Sequence, residues 1–187
     1  MIADFNQLII RHYAEFWGGR WTAHRWPHDP HPSLPALKPE FCVLEFPETE
    51  TENWRYATCG MSAGEDGVKL ELFLYAPGQR MELVELLTVV AHYHLTGSRV
   101  GLHHTVNFGR PWIAGSRCDF GFISLPYLED PGLETLDIAE ETVKFLWLVP
   151  ITKEEVEYKK KAGVESLEAR FEERELNYID PLRGSVA

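Results

Sequence analysis

The chain has little positive charge. It carries 18 Lys and Arg residues against 29 Asp and Glu residues, which gives a formal net charge of −11 over 187 residues. Direct binding to nucleic acid needs a concentrated basic face, so this balance argues against a nucleic-acid partner. An acidic surface favours solubility and fast association with basic partners. We therefore weigh a basic protein partner against an acidic surface that is merely solvated.

Cysteines and long apolar runs are also scarce. The three cysteines, Cys42, Cys59 and Cys118, are widely spaced among apolar residues. This pattern predicts neither a disulfide framework nor a zinc site, and buried free thiols are expected. No uncharged run reaches membrane-spanning length, and the first residues lack the basic start and apolar core of a secretory signal. These absences predict a cytoplasmic protein that does not contact a membrane.

The composition is that of a folded globular protein, with 44% hydrophobic and 25% charged residues. The length fits one domain, and no repeat or low-complexity linker divides it, so we predict a single domain over residues 1–187. An N-terminal helix over residues 4–17 and a proline-rich arm over residues 20–39 are both expected to pack on this domain. The other predicted elements are helices over 80–95, 153–162 and 164–176, strands over 41–46, 54–59 and 68–75, one or two strands within 99–122, and an acidic loop over 129–141.

The segment 143–158 holds the clearest local signal. Residues 143–149 (VKFLWLV) contain one charge and are rich in β-branched and aromatic types, which predicts a central buried strand. Thr152 and Glu155 then match a capping box, in which each side chain bonds the other residue's backbone N–H at a helix start. Within that helix, Glu155 and Lys159 are spaced for an ion pair.

Residues 60–64 (GMSAG) match the G-x-S-x-G pattern of serine hydrolases. In those enzymes the serine lies on a sharp turn between a strand and a helix. Here the predicted strand 68–75 follows instead, which favours Ser62 as a loop residue. A hydrolase that uses Ser62 remains an alternative.

His24, His28 and His31 form a second candidate site. Three imidazoles and a water molecule are a common catalytic zinc arrangement. Prolines lie between these histidines, however, so no helix can orient the rings. We predict no metal and no cofactor, with a metal enzyme built on these histidines as an alternative.

A binding surface is the remaining possibility. Residues 129–141 contain six acidic and no basic side chains, which suits either a partner or plain solvation. His103 and His104 are adjacent, and in a strand they would face opposite sides of the sheet, one buried and one exposed. The candidate partner-binding residues are Glu129, Asp130, Glu134, His103, His104 and Trp112.

Several ordered pieces of the chain resemble the suppressor of fused family, from about residue 25 to the end. They are 43–47 (VLEFP), 54–62 (WRYATCGMS), 70–74 (LELFL), 143–155 (VKFLWLVPITKEE), 163–167 (GVESL) and 179–183 (IDPLR). The resemblance implies an α+β (mixed α/β) fold, with a central mixed β-sheet flanked by helices. It also implies a binding protein rather than an enzyme.

Animal members of that family restrain zinc-finger transcription factors by clamping a peptide between two domains, and this chain resembles the N-terminal domain alone. The animal protein uses an acidic residue near its counterpart of residues 101–106, where this chain reads GLHHTV. Short bacterial members look like immunity proteins that neutralise a cognate toxin. The resemblance therefore predicts a non-catalytic bacterial immunity protein with a toxin partner. A structural subunit of a larger assembly is the third alternative, and the oligomeric state is left open.

Overall fold

A computed structural model of the chain describes residues 5–25, 37–50, 53–63 and 68–187. Short 3₁₀ helices at Met61–Ala63 and Pro131–Glu134 accompany the longer elements. The helices are α1 (Phe5–Trp17), α2 (Met81–Thr96), α3 (Lys153–Ala162) and α4 (Val164–Glu173). The strands are β1 (Thr22–His24), β2 (Cys42–Phe46), β3 (Trp54–Cys59), β4 (Leu70–Ala76), β5 (Thr105–Asn107), β6 (Phe120–Ser124), β7 (Thr135–Ile138) and β8 (Glu141–Ile151).

The strands form one sheet in the order β1-β2-β3-β4-β8-β6-β5, and β7 pairs with the start of β8. The β4–β8 pair is parallel and the other pairs are antiparallel, so the sheet is mixed. β8 contains the apolar run 143–149 and lies between β4 and β6. The predicted α+β fold with a central mixed sheet is confirmed, and so is the central position of this strand.

Helices cover both faces of the sheet. Leu70, Leu72 and Leu74 of β4 point into a core shared with α2. Phe73 and Tyr75 of the same strand point into a second core, to which α1 and α3 contribute. β4 therefore presents apolar side chains to two buried faces instead of to one buried and one solvated face.

Residues 129–141, predicted to be a loop, contain a 3₁₀ helix and the strand β7. The prediction was wrong in this respect because the acidic composition hides a short alternation. Leu136 and Ile138 are half-buried against the second core, while Thr135 and Asp137 are exposed. That period of two is the strand signal.

The capping box at the start of α3 is confirmed. Thr152 Oγ1 accepts from the Glu155 N–H, and Glu155 Oε2 accepts from the Thr152 N–H. The predicted Glu155–Lys159 pair is wrong, because the side chain of Glu155 points into the protein. Lys159 instead donates to the His103 carbonyl oxygen and, over 2.7 Å, to Thr105 Oγ1.

The partner of Glu155 comes from the C-terminal segment. Arg183 donates from Nη1 to Glu155 Oε1 over 2.7 Å and from Nη2 to Glu155 Oε2 over 2.8 Å. The same Nη2 donates to the Pro150 carbonyl oxygen at the end of β8. Glu155 is 0% exposed, so this bidentate ion pair lies in the interior and holds the C-terminal segment against β8 and α3.

His12 of α1 is a buried core residue. Its Nε2 lies 2.9 Å from the Leu133 carbonyl oxygen, to which the neutral ring donates. Burial lowers the pKa of His12, although the Leu133 hydrogen bond and the charge of Glu15 oppose the shift.

Cys42, Cys59 and Cys118 are buried free thiols, as predicted. Of the helices that the structure describes, none is both long and apolar enough to cross a membrane. Most of the proline-rich arm 20–39 lies outside the described residues.

Candidate protein-binding groove

An open groove of about 880 Å³ lies on the face of the sheet that carries the second core. Trp147 and Val149 of β8 form its floor. α4 forms one wall, and the segment after β6, which includes Tyr127 and Leu128, forms the other. We call this feature the α4 groove.

Gly163 places α4 beside the groove. The residue has φ of 94°, a left-handed conformation that glycine adopts without strain. Its N–H donates to the Lys159 carbonyl oxygen and ends α3, and α4 begins at the next residue in a new direction. The predicted junction between the two helices at this glycine is confirmed.

The groove presents apolar surface to solvent. Tyr127 is 61% exposed and Leu128 is 54% exposed, although both are large side chains. They stand beside Trp147 and the half-buried Phe171. A single exposed apolar residue is ordinary, but a contiguous patch of this kind marks an interaction site.

The α4 wall is acidic. Glu165, Glu168 and Glu172 line the groove at spacings of three and four residues, which places them on one face of the helix. Glu175 also lines the groove, beyond the end of α4. Glu168 accepts from Ser124 Oγ over 3.0 Å. Among the described residues that line the groove there is no lysine or arginine. Like charges at this spacing destabilise a helix by about 0.2–0.5 kcal/mol per pair.

Glu134 belongs to the same electronegative region. Partial burial raises the pKa of Tyr127, and the negative charges of Glu168 and Glu134 raise it further. One predicted partner-binding residue therefore lies close to the α4 groove.

Glu129 has a different environment from the solvated position expected of an acidic loop. Its side chain is only 7% exposed. It accepts from Trp17 Nε1 and Arg55 Nε, each over 2.9 Å, and from the Tyr75 hydroxyl over 2.5 Å. Burial raises the pKa of Tyr75, and the charge of Glu129 adds to the shift. Glu129 thus anchors the segment before β7 to α1, β3 and β4.

A smaller polar recess of about 370 Å³ adjoins the α4 groove and shares Leu128 and Tyr178 with it. Glu129 and Asp130 lie on its wall. Asp130 Oδ1 also accepts from the Gly132 N–H, which caps the 3₁₀ helix. The long-range hydrogen bonds of Glu129 and the local hydrogen bond of Asp130 therefore hold this acidic segment at the rim of the groove.

The other three candidate residues lie elsewhere. Trp112 is buried in the core shared with α2, and its Nε1 donates to Ser116 Oγ, so it is not available to a partner. His103 and His104 lie in the turn before β5 and not in a strand, because His103 has φ of 66°. His103 is half-buried and His104 is exposed, and neither lines the α4 groove.

Ser62 lies in the 3₁₀ helix after β3, buried in the protein. Its Oγ donates over 2.5 Å to Glu71 Oε1, and its N–H donates to the same oxygen. Glu71 also accepts from the Gly60 N–H and from Thr58 Oγ1. Burial raises the pKa of Glu71, while these hydrogen bonds oppose the rise. The serine therefore closes a turn around a buried carboxylate, and this geometry supports the loop role.

His24 lies in β1, where Nε2 is 3.4 Å from Glu45 Oε2. His28 and His31 fall outside the described residues. Within the part of the chain that the structure describes, no group of three His, Cys, Asp or Glu residues is placed to hold a metal ion.

Comparison with known proteins identifies the family to which the chain belongs. The family model for Suppressor of fused protein (SUFU) matches residues 38–184. The chain belongs to the suppressor of fused family. The predicted resemblance to that family is thereby confirmed. A comparison with curated proteins gave no match.

Solved structures of the family share this fold. A SUFU homolog from Neisseria gonorrhoeae FA 1090 is 32% identical, with a TM-score of 0.86 over 98% of this chain and 97% of that chain. The Sufu–Fu complex matches at 13% identity with a TM-score of 0.70, over 100% of this chain and 93% of that chain. Drosophila Suppressor of Fused matches at 16% identity with a TM-score of 0.63, over 97% of this chain and 51% of that one. This chain therefore spans about half of the Drosophila protein.

Proposed function

We propose that this suppressor of fused family chain is a non-catalytic protein-binding domain. In this proposal the chain is an immunity protein, which binds a cognate toxin stoichiometrically and neutralises it in the cell that makes both. The observation that carries the proposal is the α4 groove, whose exposed apolar surface is bordered by carboxylates.

The chemistry of the groove suits the capture of a protein. Burial of apolar side chains such as Leu128 and Tyr127 against a partner stabilises the complex by roughly 25 cal/mol per Å² of apolar surface removed from water. Carboxylates on the wall can orient a basic partner and attract it over long distances. The net charge of −11 extends that attraction over the whole molecule.

Two further observations support the proposal. The Sufu chain of the Sufu–Fu complex is itself bound to another protein, Fu. The three buried free thiols are consistent with action in a reducing cytoplasm, where such thiols persist. We propose that the single domain 1–187 is sufficient for binding.

The test uses the reading frames next to this gene. Each neighbouring product is expressed in a bacterial host with and without this chain. We expect one product to arrest growth, this chain to relieve the arrest, and the two proteins to co-purify in stoichiometric amounts. The proposal fails if no neighbouring product is neutralised and none co-purifies.

The catalytic alternatives require a separate screen. Ester, phosphate and amide substrates are tested with and without zinc, and Ser62→Ala is the control for a serine nucleophile. Turnover that is lost in this variant would support a hydrolase over an inhibitor.

A further inference from the structure

We infer that the α4 groove receives a basic amphipathic helix of the partner. Large apolar side chains of that helix contact the floor, and its Lys or Arg side chains contact Glu165, Glu168 and Glu172. This inference rests on the proposed function, and it adds the binding surface and the chemistry of the partner.

The size and polarity of the groove indicate several apolar anchors. Its volume of about 880 Å³ lies at the upper end of the roughly 300–1,000 Å³ typical of ligand sites. Trp147 on the floor is buried, and its indole N–H has no hydrogen-bond acceptor among the described residues. The exposed side chains of Tyr127 and Leu128 can pack against apolar side chains of the partner. Nothing among the described residues covers this surface.

The acidic row indicates a charged and extended partner. From Glu165 to Glu172 the row runs roughly 10 Å along α4, at 1.5 Å per residue. A single small cation cannot match charges over that distance. A helix with basic residues three and four positions apart repeats at the same spacing and can meet the glutamates one by one.

The topology favours side-chain recognition over strand addition. β8 is a central strand, and Trp147 on the floor is paired with Phe73 of β4 on one side and with Ser124 of β6 on the other, so it offers no free strand edge. An extended peptide in the groove would find no ladder of backbone hydrogen bonds. An amphipathic helix satisfies its own backbone and presents only side chains, which is the helix-in-groove mode of recognition.

The test uses two matched charge-reversal pairs. Glu165→Lys with Glu172→Lys changes the α4 wall. Glu157→Lys with Glu173→Lys changes two exposed helical glutamates outside the groove, which instead pair with Lys160 and Arg170. Both double variants alter the net charge by the same amount, so any difference between them reports position and not overall charge.

The probe is a synthetic Lys–Leu amphipathic peptide of about 18 residues, long enough to form a helix. Its counterpart carries Glu in place of Lys. We expect the Lys–Leu peptide to bind the wild-type protein and to bind the α4-wall variant about tenfold more weakly, because two surface ion pairs are lost and repulsion replaces them. The control variant should bind within about twofold of wild type, and added salt should weaken binding. The measurement is isothermal titration calorimetry at low salt, with circular dichroism to confirm folding.

Absence of peptide binding, or equal weakening in both double variants, would overturn the inference. A peptide that binds only through Leu, with the Glu–Leu counterpart equally tight, would also contradict it. The cognate partner separates this inference from the proposed function. If the α4-wall variant still neutralises the toxin as well as the control variant does, the inference about the groove fails while the proposed function as an immunity protein is supported. If wild type neutralises no neighbouring product, the proposed function fails whatever the peptide does.

Discussion

Replacing Arg183 by methionine is expected to destabilise the protein strongly. The guanidinium forms two hydrogen bonds with Glu155, of 2.7 and 2.8 Å, and one with the Pro150 carbonyl oxygen. The methionine side chain fills part of the same volume but carries no charge. Glu155 would then be left in the interior with the N–H groups of Thr152 and Val186 but without its cation.

The magnitude follows from the burial of the pair. Breaking a buried ion pair by removing one partner costs about 3–5 kcal/mol, because the remaining charge has lost its compensation. Glu155 is 0% exposed and the side chain of Arg183 is 6% exposed, so solvent screens little of this loss. We expect a loss of about 4 kcal/mol in the free energy of unfolding, out of the roughly 5–15 kcal/mol typical of a domain.

The assay is equilibrium urea unfolding followed by circular dichroism. With a slope of roughly 2 kcal/mol per molar urea, a loss of about 4 kcal/mol moves the midpoint down by about 2 M. A double variant with Glu155→Gln should recover part of the loss, because no charge is then left buried.

Arg117→Met is the matched control. Arg117 pairs with Glu154, the neighbour of Glu155, over 3.0 Å, but the two side chains are 63% and 53% exposed. An exposed pair contributes about 0–1 kcal/mol, so the midpoint should hardly move. Equal midpoint shifts for the two methionine variants would refute the reasoning, because burial would then not decide the value of the pair.

The remaining predictions concern three other buried groups. Glu129→Ala should lower the free energy of unfolding by about 3 kcal/mol, because buried donors such as the Arg55 side chain lose their acceptor. The control Glu134→Ala should change it by less than about 1 kcal/mol. The urea midpoints of the two variants are compared. Ser62→Ala should leave ester hydrolysis unchanged and lower stability by about 1–3 kcal/mol, since a buried carboxylate loses a donor; a lost activity would contradict the loop role. His12 has a lowered pKa, so the folded state binds fewer protons than the unfolded state. The free energy of unfolding should therefore hold its full value above pH 6.5, the ordinary pKa of histidine, and fall as the pH drops below it. His12→Phe should flatten that fall in thermal unfolding between about pH 5 and 7, and an unchanged slope would count against the assignment.

Local patterns could be predicted where neighbours in the chain determine the structure. The strand over 143–149 follows from its own composition, and the Thr152–Glu155 cap follows from two side chains three residues apart. The strand β7 was missed although Leu136 and Ile138 carried its alternation. Composition outweighed periodicity there, because the segment is dominated by carboxylates.

The candidate site was predicted only in part, because the groove assembles residues that are distant in sequence. Glu129, Asp130 and Glu134 were singled out by their charge, and the structure places them in or near its rim. For Glu165, Glu168 and Glu172 the sequence predicts only that they belong to a helix. Their row at spacings of three and four residues was the available signal, but it acquires meaning only beside Trp147 and Leu128.

The sequence by itself determined the central strand, the cap of α3 and the excess of negative charge. These depend on composition and on contacts within a few residues. Only the tertiary structure decided what each carboxylate does. Glu155 became the buried partner of an arginine 28 residues away, Glu129 an anchor for α1 and β3, and Glu172 part of an exposed wall. The physical reason is that the energy of a charge depends on its burial and its counter-charges, and both are set by chain segments that meet only on folding.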